Sequence, residues 1–178
     1  MQRGLKRRRR FCKGLSSTVL IESGDINSNT ATNNGGGIFV ENGSQVTLGK
    51  TDLTSIEWNI NSNTAAQKGG GIYSKGTLKI YYGQLSQNTA KAGGGAIYLE
   101  KGTVTLEEGE GAKLISNITD DSNGGAIYVD KEGTLNVKSA SIIANRAQST
   151  GTGGTGGNGG GIFVTGDASH QGKVIISK

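Results

Sequence analysis

A glycine-rich motif that returns five times constrains the fold of this chain more than any other feature. The segment NGGGIFV at residues 34–40 recurs as KGGGIYS, GGGAIYL, NGGAIYV and a second NGGGIFV. The isoleucines of successive copies are separated by 34, 25, 30 and 35 residues. Self-similarity at a period of this size is typical of architectures in which one structural unit stacks on the next. We therefore interpret the chain as a repeat protein.

Two further signals accompany each copy of the motif. An aliphatic residue stands three positions before an asparagine upstream of it, and an alternating apolar pair, such as Val104 and Leu106, follows a glycine downstream. Alternation predicts short strands with one buried face, and each repeat offers three of them, of the types IYV, TLNV and SIIAN. The shortest repeat, of 25 residues, accommodates three such strands and their turns but no helix of ordinary length.

These patterns predict an all-β fold, a right-handed parallel β-helix of about five coils with three short strands per coil. Equivalent strands would stack about 4.8 Å apart into three parallel sheets. The isoleucine of each motif would point inward and the aromatic residue that follows it outward, because side chains alternate along a strand. The outward aromatic residues are the best candidates for ligand binding, with mutual stacking as the alternative role. They are Phe39, Tyr73, Tyr98, Tyr128 and Phe163.

The recurring asparagines and glycines have a structural interpretation. An amide at the same turn of every coil can hydrogen-bond the amides above and below it, or backbone groups of the turn. We expect this role for Asn29, Asn63, Asn88, Asn117 and Asn145. The glycines mark tight turns where a neighbouring coil would clash with a side chain and where unusual φ values are needed. Those assigned to the turns are Gly36, Gly70, Gly94, Gly124 and Gly160.

The charge of the chain is concentrated at its start. Residues 1–15 hold seven of the 19 Lys and Arg and no acidic residue, whereas residues 16–178 hold 12 basic and 14 acidic residues. We expect residues 1–15 to be a basic, disordered leader, with nonspecific nucleic-acid binding as its only nucleic-acid interaction. Residues 16–178 would form a single β-helix domain that is incomplete at both ends. The leader lacks the apolar stretch of a signal peptide, and the sequence has no apolar run long enough for a membrane span.

Two of the motifs carry a family resemblance. The segment GGAI at residues 94–97 and again at 124–127, each preceded by an apolar-x-x-Asn element, resembles the repeats of chlamydial polymorphic outer membrane proteins. Similar repeats occur in other bacterial surface proteins and autotransporter passengers. The resemblance implies a fragment of a passenger at the cell surface, outer membrane or extracellular space, acting as an adhesion or display scaffold without catalysis. It also implies a host-cell protein or glycan as partner, together with the neighbouring coils of a longer passenger.

A carbohydrate-active β-helix, similar to polysaccharide lyases or hydrolases, is the alternative function, with its catalytic coils missing or unrecognised. Such enzymes use clustered carboxylates, often with a cation. The only pair worth considering for a shared cation is Glu100 with Asp130, on adjacent coils, and neighbouring lysines favour a surface charge ladder instead. His170 is the single histidine and has no carboxylate or Cys partner in sequence. We predict no cofactor, and the glycines are not a phosphate loop because no helix follows them.

Overall fold

The computed structural model describes residues 17–51, 58–149 and 157–177. The predicted leader, residues 1–15, lies outside the described residues, as do most of the two longest turn segments of the sequence. Every regular element in the described residues is a β-strand, and none of these residues belongs to a helix that could cross a membrane. The all-β prediction is therefore confirmed.

The described strands are mostly short, and their bounds follow in chain order. They are β1 (Thr18–Ile21), β2 (Gly24–Asn27), β3 (Thr30–Ala31), β4 (Ile38–Val40), β5 (Gln45–Leu48), β6 (Trp58–Asn61), β7 (Thr64–Ala65), β8 (Ile72–Ser74), β9 (Thr77–Ile80), β10 (Gly83–Ser86), β11 (Thr89–Ala90), β12 (Ile97–Leu106), β13 (Ala112–Ile115), β14 (Ile118–Asp120), β15 (Ile127–Val137), β16 (Ala140–Ile143), β17 (Arg146–Gln148), β18 (Ile162–Val164) and β19 (Lys173–Ile176).

The strands form three parallel sheets, as the repeat predicted. Sheet 1 contains β1, β4, β5, β8, β9, β12, β15, β18 and β19; sheet 2 contains β2, β6, β10, β13 and β16; sheet 3 contains β3, β7, β11, β14 and β17. Equivalent residues of successive repeats pair directly, for example Ile97 with Ile72 on one side and Ile127 on the other. Stacks of parallel strands with this register are those of a parallel β-helix.

The assignment of strands to sheets corrects one part of the sequence prediction. The IYV-type and TLNV-type segments belong to the same sheet, and β12 and β15 run through both without interruption. The third sheet is built instead from the two or three residues after each asparagine, such as Thr89–Ala90. Two residues show too little alternation to reveal a strand, so the sequence indicated this element only as a recurring small residue.

The core lies inside the coils and consists of stacked aliphatic columns. Ile72, Ile97 and Ile127 are fully buried, and Ser74 interrupts the neighbouring column while itself being fully buried. The first and last strands extend the TLNV-type rows of sheet 1, because β1 pairs with β5 and β19 pairs with β15. Burial is lost at the ends of the stack: Val19 is 44% exposed and Ile176 is 75% exposed.

The glycine turns meet two separate requirements at two separate positions, which corrects the predicted set. The glycine three before each isoleucine has a positive φ of 63–70°, a left-handed conformation that side chains other than glycine rarely adopt. Gly94 and Gly124 stand at this position. The next glycine has ordinary φ but lies against the following coil: a Cβ on Gly70 would be 2.4 Å from the carbonyl oxygen of Gly95. Gly36, Gly70 and Gly160 stand at this second position, but Gly160, in the last motif, meets only Asn145, at 3.1 Å.

Candidate functional site

Two columns of side chains run along the stack and provide the candidate sites. The asparagine ladder consists of Asn29, Asn63, Asn88, Asn117 and Asn145, in the turn between sheet 2 and sheet 3. The aromatic ladder consists of Phe39, Tyr73, Tyr98, Tyr128 and Phe163, at the middle position of the IYV-type segments. Parallel in-register pairing places each member directly above the equivalent residue of the preceding coil.

The asparagine ladder is a continuous chain of hydrogen bonds. The Oδ1 atom of Asn88 accepts from the backbone N–H and from Nδ2 of Asn63, at 3.0 and 3.1 Å. Its Nδ2 donates to Oδ1 of Asn117 at 2.9 Å and to the carbonyl of Ile60 at 2.9 Å. These four bonds use the full capacity of a side-chain amide. Asn63, Asn88 and Asn117 are fully buried, so the ladder satisfies polar groups that burial would otherwise leave unpaired.

The residue before each asparagine adopts a left-handed backbone conformation that the sequence did not indicate. Its φ is 58° at Ser28, 56° at Ser62, 55° at Gln87, 55° at Ser116 and 55° at Ala144. None of these residues is a glycine, and Gln87 and Ala144 lack the short polar side chain that eases this conformation. The turn therefore stores strain, which the hydrogen bonds of the adjoining asparagine offset.

The aromatic ladder is a stack of five rings. Successive ring centroids lie 4.8, 5.7, 4.6 and 5.0 Å apart, and the first three pairs are tilted by only 29°, 13° and 15°. The face of each inner ring is therefore covered by the next ring. Sugars bind aromatic side chains by lying on the ring face, so the stack leaves such a ligand access only to ring edges and to the terminal rings.

The prediction that the ladder is exposed is wrong for its central members. Tyr73 and Tyr98 are each only 2% exposed, Tyr128 and Phe163 are half-buried, and Phe39 is 45% exposed. The rings do point away from the core, but neighbours close over them. The amino group of Lys68 lies 4.4 Å from the ring centroid of Tyr98, and a Cβ on Gly93 would come within 2.9 Å of the Tyr128 ring.

The tyrosine hydroxyls bind carboxylates of the next coil. Tyr98 donates to Oδ2 of Asp130 at 2.6 Å, and Tyr73 donates to Oε2 of Glu100. Burial raises the pKa of Tyr98, and the bond to Asp130 raises that pKa further. The Asp130 carboxylate therefore stabilises the buried phenol group of Tyr98 in its protonated form.

The same hydrogen bonds engage Glu100 and Asp130, the two carboxylates that the sequence offered as a candidate cation site. Each carboxylate already accepts from a tyrosine, and Lys75 lies 3.9 Å from Glu100. No group of three His, Cys, Asp or Glu side chains in residues 17–51, 58–149 and 157–177 could hold a metal ion. Both carboxylates are therefore already engaged within the fold, Glu100 by Tyr73 and Lys75 and Asp130 by Tyr98.

His170 lies in the turn before β19, next to Asp167. The Asp167 carboxylate accepts from Lys131 Nζ at 2.9 Å and from the backbone N–H of Ser169 and of His170, both at 2.8 Å. These hydrogen bonds, with that from Lys131 first, lower the pKa of Asp167. The carboxylate thus organises the turn, and its distance of 3.8 Å from His170 Nδ1 is too long for a hydrogen bond.

A third candidate site, a polar surface on the outer side of sheet 2, was not identified from the sequence. The residues on either side of the buried column formed by Ile26, Ile60 and Leu85 point outward. In the first three strands most of them carry amides, with one carboxylate. We call this surface the amide face; its members are Asp25, Asn27, Asn59, Asn61 and Gln84. These positions lie outside the glycine motif, and only the pairing register collects them on one face.

Three parallel sheets carrying continuous ladders define the chain as a β-helical repeat protein. The model of the Chlamydia polymorphic membrane protein (Chlamydia_PMP) repeat matches residues 59–75 and 84–100. Each matched segment contains one residue of the asparagine ladder and one ring of the aromatic ladder, so the predicted resemblance to these repeats is confirmed. Repeats of this family indicate a surface-protein passenger. No curated protein and no solved structure matches the chain.

Proposed function

We propose that this chain is part of a bacterial surface passenger that serves as an adhesion or display scaffold and has no catalytic role. The observation that carries the proposal is the match of two consecutive coils to the polymorphic membrane protein repeat. Stacked coils hold their outward side chains at fixed spacing, which suits presentation of a binding surface to another cell. The cell surface or outer membrane is the proposed location.

The chemistry of the candidate groups supports a non-catalytic role. A general base must reach the proton that it removes, and its pKa must suit the working pH. His170 is more than half exposed and lies next to a carboxylate that is already held by Lys131 and two backbone N–H groups. Glu100 and Asp130 accept from buried tyrosines. These groups maintain the fold, so we assign the function to surface recognition.

The proposed partners are a protein or a glycan of a host cell and, along the helix axis, the neighbouring coils of a longer passenger. The ends of the described stack fit the second partner because the apolar side chains of their strands are partly exposed, as at Val19 and Val164. Among residues 17–51, 58–149 and 157–177, each end strand has a partner strand on one side only, so its other edge can accept a further coil.

The proposal is tested by attachment of the purified chain to cells. Beads coated with the folded chain should bind cultured epithelial cells saturably, and free chain should compete with them. Beads coated with the same chain after thermal unfolding provide the matched control, because composition and charge are unchanged. Equal attachment of folded and unfolded chain, or none above albumin-coated beads, would contradict an adhesive function.

A further inference from the structure

The amide face carries hydrogen-bonding groups that remain open within the described residues. The residues form two columns: Asp25 pairs with Asn59 and Asn59 with Gln84, while Asn27 pairs with Asn61. Neighbouring members of a column are therefore about 4.8 Å apart. The result is a flat array of side-chain amides on a rigid sheet.

Only part of the polar capacity of this array is used within the fold. Asn59 Nδ2 donates to Asp25 Oδ1 at 2.9 Å, and Gln84 Nε2 donates to Ser86 Oγ at 3.0 Å. Among residues 17–51, 58–149 and 157–177, no donor bonds to Asn59 Oδ1 or Gln84 Oε1, and no acceptor bonds to Nδ2 of Asn61. Each of these amides can therefore still accept or donate towards a ligand.

The aromatic ladder shows the opposite condition. Its inner ring faces are covered by neighbouring rings, and the hydroxyls of Tyr73 and Tyr98 are bonded to carboxylates. A ligand at that ladder would have to displace contacts that already exist. On the amide face it would only replace water, so this face is the better recognition surface.

The composition of the face selects the class of ligand. Amides both donate and accept hydrogen bonds, as sugar hydroxyls do. The column has one charged residue at each end: the carboxylate Asp25 at one end, and Lys113, beyond Gln84, at the other. The charges therefore balance, which favours a neutral ligand over an anionic one. Half-exposed Tyr82 lies at the edge of the array, with Lys113 Nζ 3.3 Å from its oxygen and 5.1 Å from its ring centroid.

We propose that the amide face binds a neutral oligosaccharide laid across β2, β6 and β10, with the amides of Asn59, Asn61 and Gln84 bonded to its hydroxyls. This inference rests on the proposed adhesive function and names the partner of that function. A peptide partner fits less well, because peptides add to a sheet through backbone bonds at its edge, whereas this surface is a sheet face.

The test is retention of the labelled 178-residue chain on a printed array of neutral and sialylated or sulfated oligosaccharides. Wild type should be retained by neutral members, and the double variant Asn59→Ala/Gln84→Ala should lose about tenfold or more in apparent affinity, since two hydrogen bonds are removed. Asn59→Leu/Gln84→Met keeps the approximate shape, removes the open acceptor oxygens and should lose binding similarly. Thr103→Ala/Thr105→Ala, at outward positions of sheet 1, is the matched control and should bind like wild type.

Each result decides the proposal. No retention of wild type by any neutral oligosaccharide, or equal retention of wild type and both amide-face variants, overturns it. Retention confined to acidic oligosaccharides also overturns it and points to lysines. If the amide-face variants, shown to be folded by their unfolding curves, still attach to epithelial cells like wild type, the glycan site is wrong while the adhesive function stands. Loss of cell attachment in these variants, together with loss of glycan retention, supports both.

Discussion

Both ladders stabilise the stacking of one coil on the next, but they do so by opposite chemistry. The asparagine ladder lies inside the coil, where each central amide makes four side-chain hydrogen bonds. The aromatic ladder lies outside it, where each ring covers its neighbour. The polar residues are thus the more deeply enclosed ones, and the aromatic residues form a second small core on the outer surface. Position in the coil, and not hydrophobicity alone, decides which side chains are buried.

This difference predicts how much each ladder contributes to the stability of the fold. A buried amide cannot be removed without leaving donors and acceptors unpaired, whereas a ring in an outer stack loses mainly contact area. We therefore expect the asparagine ladder to dominate stability. Substitutions in the two ladders, and in the glycine turns that let the coils approach, test this ranking.

The largest effect is expected for Asn88→Ala. The substitution leaves two donors of Asn63 and the carbonyl of Ile60 without their partner, and each unpaired buried group costs about 1–3 kcal/mol. Urea unfolding should show a loss of about 3–5 kcal/mol by the same reasoning. Asn145→Ala is the control: its site is half-buried, water can replace the bonds, and the loss should be clearly smaller. Equal losses would contradict the role of burial.

The next effect is expected for Gly70→Ala, which tests the coil spacing on which both ladders depend. The new Cβ would lie 2.4 Å from the carbonyl oxygen of Gly95 and 2.5 Å from that of Thr89. Overpacking of this kind costs about 1–3 kcal/mol, and we expect the upper end because both contacts are backbone.

Gly160→Ala makes the same change at the equivalent position of the last motif, where the nearest contact is 3.1 Å. It should change stability by about 1 kcal/mol or less. Thermal unfolding of the pair measures the difference, and similar melting temperatures would show that the close approach is not limiting.

A smaller effect is expected for Tyr98→Phe in the aromatic ladder. The ring and its stacking remain, but the hydrogen bond to Asp130 is lost, which should cost about 1.5 kcal/mol for a bond to a charged group. Tyr128→Phe, at a half-buried site, is the comparison and should cost less. A loss for Tyr98→Phe as large as that for Asn88→Ala would reverse the ranking of the ladders.

The same tyrosine should make stability depend on alkaline pH. The pKa of Tyr98 is raised in the folded state above its ordinary value of 10.0, first by burial and then by Asp130. Its contribution is therefore complete below pH 10 and is lost as the pH rises towards the folded-state value. We expect a loss of about 1 kcal/mol by pH 11, since one pKa unit corresponds to about 1.4 kcal/mol. Tyr98→Phe should show a flatter pH dependence between pH 10 and 11; an unchanged slope would assign the effect to another group.

The smallest effect, and the only stabilising one, is expected for Ala144→Gly. Ala144 has φ of 55°, a conformation that costs about 1–2 kcal/mol for residues other than glycine, while glycine adds about 0.4–1 kcal/mol of unfolded-state entropy. The net gain should be about 0.5 kcal/mol. Ala147→Gly, in β17, lacks the strain and should destabilise. A loss at both positions would mean that the turn before the ladder is not strained.

Much of the fold could be predicted because the same pattern of glycine, isoleucine and asparagine recurs five times. The isoleucine and asparagine positions fixed the coils, and the pairing of Ile97 with Ile72 and Ile127 follows that alignment residue by residue. The two-residue strands of sheet 3 could not be predicted, because Thr89–Ala90 is too short to show a period. The left-handed turn residues were also hidden, since Gln87 and Ala144 carry no local preference for positive φ.

The sequence by itself determined the stacking of the chain, because a repeated pattern of inward and outward side chains can be buried only by placing one coil on the next. It did not determine which outward groups would remain free. Tyr98 and Asn59 both point away from the core, yet the tyrosine is closed by its neighbours while half-exposed Asn59 keeps an open acceptor. That distinction depends on contacts between residues that are about 30 positions apart, and only the tertiary structure brings them together.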